Sequence, residues 1–415
     1  MKKIFGVLIT SENPERIYLT QKSLYEKISK TFDEFFIINL INFKLFKKKT
    51  YKNEYSNSVV LPYNFKIITP VNEYELNKLL INKNLVAFDA VGKRLSGFRI
   101  RFLIKKYNVR LIQLQNIGGV GNQYLGKSYT GYRKTKLFRF YLFRLEKIFT
   151  YFLLKVLIFL NLFSRTDIYF ESDKAIVNNC NNSLAKKIEK IFPFLKICYF
   201  KKTIRINSRA FDMLKKFKPN LTEDKIVFID SNFDHGDRIA REGKPSEELK
   251  LKYFNQLNQF FLELSSAFNK KVVICLHPNS DINIYKKYFG KLEIHRNQLS
   301  HDISQAFIVI FHLSTSISDA ILLKKKIICL KSNILGEYYM DKINFWEKRL
   351  GVFSYSLDEK KEIDNNLLLA TLENKIKNYD NYINTVLKAD DSILGEDMII
   401  DIVRKEYFVN NTIFK

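Results

Sequence analysis

The run Phe307-Ile308-Val309-Ile310-Phe311-His312-Leu313-Ser314-Thr315-Ser316-Ile317-Ser318-Asp319-Ala320-Ile321-Leu322-Leu323-Lys324-Lys325-Lys326-Ile327-Ile328-Cys329-Leu330 decides the architecture. Phe307 to Phe311 is unbroken apolar chain, the pattern of a strand buried on both faces. Three small hydroxyl residues, Ser314, Thr315 and Ser316, end it. Ile317, Ala320 and Ile321 then recur at helical spacing, and Lys326–Leu330 supplies a second strand. Strand, turn, helix and strand in one short stretch form a βαβ unit, which requires a parallel sheet.

The same alternation extends to both ends of the chain. In the first half it predicts strands over Ile4–Ile9, Glu34–Asn39, Phe65–Thr69, Leu85–Asp89, Val109–Gln113 and Asp167–Phe170. In the second half it predicts Lys225–Asp230, Lys271–Leu276, Leu292–His295, Phe307–His312 and Lys326–Leu330. The clearest helix runs from Pro245 to Phe268, with Leu249, Phe254, Leu257, Phe261 and Leu264 on one face. A chain of 415 residues, 46% hydrophobic, is too long for one ordinary core. The expectation is an α/β protein of two Rossmann-like domains facing each other across a cleft, 1–220 and 221–415. Lys218-Pro219-Asn220 marks the break.

Charge supports that division. Of the formal +26, residues 1–220 carry +27 and residues 221–415 carry −1. The stretch 93–147 alone holds 14 basic residues and one acid, Glu146. Such a half seeks a polyanion: anionic lipid, a lipid-linked diphosphate or nucleic acid. The four cysteines form no CxxC pair, so they read as buried thiols rather than a disulfide frame or a zinc site. The apolar stretch Ile4–Ile9 is too short for a signal peptide and reads as a strand.

Residues 134–165 are aromatic, apolar and basic together. The run Ile148–Phe163, broken by Lys155, falls short of the roughly 20 residues that span a bilayer. An interfacial helix fits, with Arg133, Lys134, Lys136, Arg139 and Arg144 on anionic lipid. A core helix is the competing reading.

Three polar sets follow strands in the second half. Val272–Leu276 runs out onto His277-Pro278, where the imidazole can donate to a phosphate. Ser314, Thr315 and Ser316 precede a helix whose free N–H groups would bind an anion; ordinary capping is the bland alternative. Asp230-Ser231-Asn232-Phe233-Asp234-His235-Gly236-Asp237-Arg238 offers contacts to a sugar, a base or a diphosphate. In the first half, Asp89 ends a strand and is the candidate general base. Gly118, Gly119 and Asn122 lie in a glycine loop that would let an acceptor approach the backbone. No metal-ligand spacing is visible.

His277-Pro278 followed by Ser314-Thr315 resembles the bacterial sialyltransferases and polysialyltransferases, whose HP and S-[ST] motifs contact the CMP of the donor. The run Lys271–Leu330 is also similar to Kdo transferases and CDP-glycerol glycerophosphotransferases. The resemblance implies a GT-B glycosyltransferase in which His277 meets the donor phosphate and Ser314 and Thr315 hold it. The sialyltransferase pattern has a paired acid followed by Gly in the N-terminal domain, the acid being the base; here Asp89-Ala90-Val91-Gly92 stands instead.

The expected activity is transfer of a nonulosonic or Kdo-like sugar from a CMP donor to a lipid-linked or growing surface polysaccharide. The expected location is the inner face of a bacterial cytoplasmic membrane, with no cofactor beyond the nucleotide-sugar substrate. The alternatives are polyol-phosphate transfer from CDP-glycerol or CDP-ribitol, a nucleic-acid-binding protein, and a non-catalytic scaffold. Nucleic acid ranks below the membrane because no recognition motif for it is present.

Overall fold

The computed structural model describes residues 3–10, 22–40, 65–81, 83–89, 98–114, 149, 152–193, 198–217, 222–231, 233–234, 238–239, 242–277, 280–359 and 364–409. These form two compact units. Among the described residues, the first comprises the chain up to 114, residues 149–207 and residues 390–409; the second comprises 208–389.

Among the described residues, the first unit is built on a parallel sheet of seven strands: β1 (Ile4–Thr10), β2 (Glu34–Asn39), β3 (Lys66–Ile68), β4 (Asn84–Asp89), β5 (Arg110–Leu114), β6 (Thr166–Glu171) and β7 (Phe200–Arg205). Their order is β3-β2-β1-β4-β5-β6-β7. Alternate residues of β1 serve opposite faces. Val7 and Ile9 pack with Ala87, Leu103 and Leu111 on one side. Ile4 and Leu8 pack with Phe88, Ile112 and Phe170 on the other.

That second face is closed by residues distant in sequence. The helix Gly395–Arg404 buries Ile399, Ile400 and Val403 in it. Lys27 Nζ, on the helix Lys22–Ser29, bonds Glu396 at 2.9 Å and Asp397 at 2.6 Å. Asn207 fastens the returning chain. Its side-chain amide donates to the carbonyls of Asp390 and Ile393, at 2.6 and 2.7 Å, and its Oδ1 accepts from Asp390 N–H. The chain therefore changes unit at 207–208, earlier than the charge shift near 220, and changes back at 390. Composition signals neither event, because an amphipathic helix shows which face it buries but not against which sheet.

Among the described residues, the second unit carries six parallel strands: β8 (Lys225–Ile229), β9 (Lys271–Cys275), β10 (Glu293–His295), β11 (Ala306–Phe311), β12 (Lys326–Lys331) and β13 (Phe353–Ser356), ordered β10-β9-β8-β11-β12-β13. The long helix Glu247–Phe268 starts on Ser246, whose side chain caps Leu249 N–H, and stops at Asn269 in the left-handed region. It buries Leu257, Phe261 and Leu264, as its spacing predicts. β7 and β13, absent from the sequence prediction, are outermost strands, and β7 reads Phe-Lys-Lys-Thr-Ile-Arg. A solvent-facing outer strand carries charge and loses the apolar signature of its buried neighbours.

Candidate donor site

In an open parallel sheet, ligands bind beyond the carboxyl ends of the strands where the order reverses. In the second unit that point lies between β8 and β11. Three of the predicted sets converge there: Asp230 follows β8, His277 follows the neighbouring β9, and Ser314–Ser316 follow β11.

Asp230 is buried and organises the loop after β9. Its Oδ2 accepts from His277 N–H at 3.2 Å and from Ser280 Oγ–H at 2.7 Å. Tyr285 O–H reaches its Oδ1 at 3.4 Å. The carboxylate thus faces protein groups and fixes the backbone at His277. The His277 residue itself is partly exposed.

The hydroxyl turn differs from its sequence reading in one respect. The helix Ile317–Leu322 has only six residues, and its first N–H groups are not free. Ile317, Ser318 and Asp319 N–H donate to the carbonyls of Ser314, Thr315 and Ser316, at 3.2, 3.3 and 3.0 Å. Ser316 N–H donates to Ser314 Oγ at 3.3 Å. The chain tightens into three-residue turns here, so an anion would meet side-chain hydroxyls rather than a row of open amides. Thr315 is exposed, and Ser314 and Ser316 are half-buried.

Beneath the turn, His312 is sealed in. Its Nδ1 donates to Leu330 O at 2.8 Å, so its Nε2 accepts from Tyr253 O–H, also at 2.8 Å. Burial pulls its pKa from 6.5 down to about 4. The native state therefore prefers neutral imidazole. Its contribution to stability is complete above about pH 6.5 and fades as pH falls towards about 4. His312 is a fixed prop under the site, not a proton carrier at neutral pH.

Arg238 bridges the loops that follow β8 and β12. Its guanidinium lies over the Phe233 ring at 4.1 Å and donates through Nη2 to Ile334 O at 3.1 Å.

In the first unit the strand order also reverses, between β1 and β4. Asp89 ends β4 there, and its carboxylate is engaged by the Arg101 guanidinium at 2.5 Å, both side chains 3% exposed. Sequence reading missed a second acid at the same sheet edge. Glu171 ends β6 and accepts from Tyr169 O–H and from the Ser172 and Asp173 amides, at 3.1, 2.8 and 3.1 Å. Burial nevertheless raises its pKa. An apolar strand ending in an acid, Ile168-Tyr169-Phe170-Glu171, was the available signal.

Pro278, Asn232 and His235 lie outside the described residues, as do Gly118, Gly119, Asn122, Arg133, Lys134, Lys136, Arg139 and Arg144. Among the described residues no group of three or more His, Cys, Asp or Glu side chains is placed to hold a metal ion.

No family model matches the chain. No curated protein matches it either. Solved structures do. A variant of the wall teichoic acid polymerase TagF superposes with a TM-score of 0.50 at 14% identity, over 99% of this chain and 90% of that one. UGT2 of Phytolacca americana, complexed with UDP-2fluoro-glucose and pterostilbene, gives 0.51 at 9% identity, over 98% and 99%. The fold is that of the GT-B glycosyltransferases. β8 to β13 form the second of the two parallel sheets.

Proposed function

We propose that this protein is a glycosyltransferase whose second unit binds a nucleotide-linked donor at the ends of β8, β9 and β11. The observation that carries the proposal is the convergence of Asp230, His277 and Ser314–Ser316 at the strand-order reversal. His277 meets the donor phosphate, and the hydroxyls of Ser314, Thr315 and Ser316 hold it. The donor is a CMP-linked sugar of the nonulosonic or Kdo-like class, and the acceptor a lipid-linked or growing surface polysaccharide.

For the base, Asp89 would have to give up its pairing with Arg101 to take a proton. Glu171 has a raised pKa and pairs with no cation among the described residues, which suits it better to general-base work. A panel of CMP-sugars, UDP-sugars and CDP-glycerol tests the donor. CMP release from a CMP-sugar is the expected result. CDP-glycerol turnover alone would move the assignment to polyol-phosphate transfer, and turnover of none would remove the enzyme reading.

The acceptor side works at an anionic membrane surface. The support is an apolar row with no cover among the described residues. The helix over 152–159 buries Leu154 and Ile158 against Phe163 and Tyr199, while Phe149, Phe152, Phe159, Leu160 and Leu162 are exposed. The strongly basic stretch 93–147 immediately precedes this row in sequence. No described helix is long and apolar enough to cross a membrane, so contact would be interfacial. The protein is expected to float with vesicles containing anionic lipid, and Phe152→Glu with Phe159→Glu to reduce that binding about tenfold or more. Binding to nucleic acid without binding to vesicles would overturn this part.

A further inference from the structure

Arg238 is buried, with 3% of the residue exposed. Of its three guanidinium nitrogens only Nη2 has a partner described above, the Ile334 carbonyl. Nε and Nη1 are buried with no hydrogen-bond partner among the described residues. A buried cation with unmet donors is costly, and native interiors rarely leave one so.

Nearby acids do not relieve it. Asp234 is bound to Lys250 Nζ at 3.0 Å, and Glu242 Oε1 accepts from Tyr338 N–H at 2.8 Å. Neither forms an ion pair with Arg238 among the described residues, although both lie close enough to act on it electrostatically. Burial still lowers the arginine's pKa. The Phe233 ring and the Ile334 carbonyl fix the plane of the group, so its free donors keep one direction.

The position is specific. Phe233 follows β8 and Ile334 follows β12, and β11 lies next to both in the sheet. Arg238 is therefore held between the two loops that flank the end of β11. The hydroxyls of Ser314–Ser316 follow β11 directly.

We propose that Arg238 is an anion-binding residue left incomplete by the protein, and that a phosphoryl oxygen of the bound nucleotide completes it. The inference rests on the donor-site reading above and adds a charged contact to it. On this reading the arginine is kept for a ligand at the expense of stability.

The test uses the full chain with Arg238→Met, which keeps length and apolar bulk and removes the donors. Thermal melting is recorded without ligand and with CMP, CDP or pyrophosphate, and nucleotide affinity by calorimetry. The expected result is a ligand-free melting temperature equal to or above that of the unaltered protein, with affinity lower by about tenfold or more. Unchanged affinity in Arg238→Met overturns the proposal. If Arg238→Met melts earlier, Arg238→Lys decides. Affinity retained within about threefold by lysine but lost with methionine upholds the proposal, and equal losses overturn it. Failure of CMP, CDP and pyrophosphate alike to stabilise the unaltered protein would instead overturn the donor-site reading itself, and this inference with it.

Discussion

Ending the chain after Ala389 is expected to unfold the first unit rather than trim it. The removed segment contributes Ile399, Ile400, Val403 and Tyr407, all buried against the sheet that carries Leu8, Phe88 and Phe170. Each such side chain is worth about 1.5–3 kcal/mol when buried. Four together approach the whole stability of an ordinary domain, about 5–15 kcal/mol. The ion pairs of Lys27 with Glu396 and Asp397 are lost too. Circular dichroism during heating should show much of the helical signal lost at low temperature. A truncated chain melting within about 2 °C of the full one would refute the role assigned to the segment. Gly395→Ala is a finer probe of the same closure. A Cβ at that position would stand 2.5 Å from the Asn207 carbonyl oxygen, so one backbone must move away from the other. A loss of about 1–3 kcal/mol is expected.

Asp230→Ala should remove nearly all donor turnover while leaving the fold recognisable. The substitution deprives three groups of an acceptor: the His277 amide, the Ser280 hydroxyl and, more weakly, the Tyr285 hydroxyl. Buried donors left unmet cost about 1–3 kcal/mol each, less where the contact was long. The catalytic consequence is larger than the stability loss, because His277 is positioned through this carboxylate. Displacing a reacting group by about 1 Å costs on the order of 100-fold in rate. A fall of that size in kcat/KM is expected, with near-native circular dichroism. Asp230→Asn keeps one acceptor oxygen and should fall between the two. Turnover in Asp230→Ala within about threefold of the unaltered protein would show that the loop after β9 does not depend on it.

Much of this fold was legible because parallel strands buried on both faces write themselves as apolar runs. Glu34–Asn39 was read with both ends correct, and most of the other inner strands to within a residue at each end. The failures have physical causes. β7 lies outermost in its sheet and its charges mask it; β13 is four residues with three of them hydroxyl-bearing. The return of the chain to the first unit depends on which sheet a helix covers, which no local pattern encodes. At the site, the positions of His277 and Ser314–Ser316 followed from strand ends alone. The state of the amides did not, because a tight turn and a regular helix start share one sequence signature. The pairing of Asp89 with Arg101 was equally hidden, since the partner lies on the following helix, Phe98–Lys106, rather than beside the acid.

The hydrogen bonds of Asn207 join points 183 residues apart, and this fixes an order of events during synthesis. The described strands and helices of the second unit all lie between those points, so that unit can finish folding as it emerges from the ribosome. The first unit cannot. Its sheet is translated earlier, but one face waits for a helix made after the whole second unit. At roughly 5–20 residues per second the wait is roughly 10–40 s. Throughout it Leu8, Phe88, Ile112 and Phe170 stand partly uncovered, a surface that chaperones bind and that aggregates readily at high expression. Slower translation lengthens that exposure, so it should lower yield through the half that emerges first rather than through the half that emerges second.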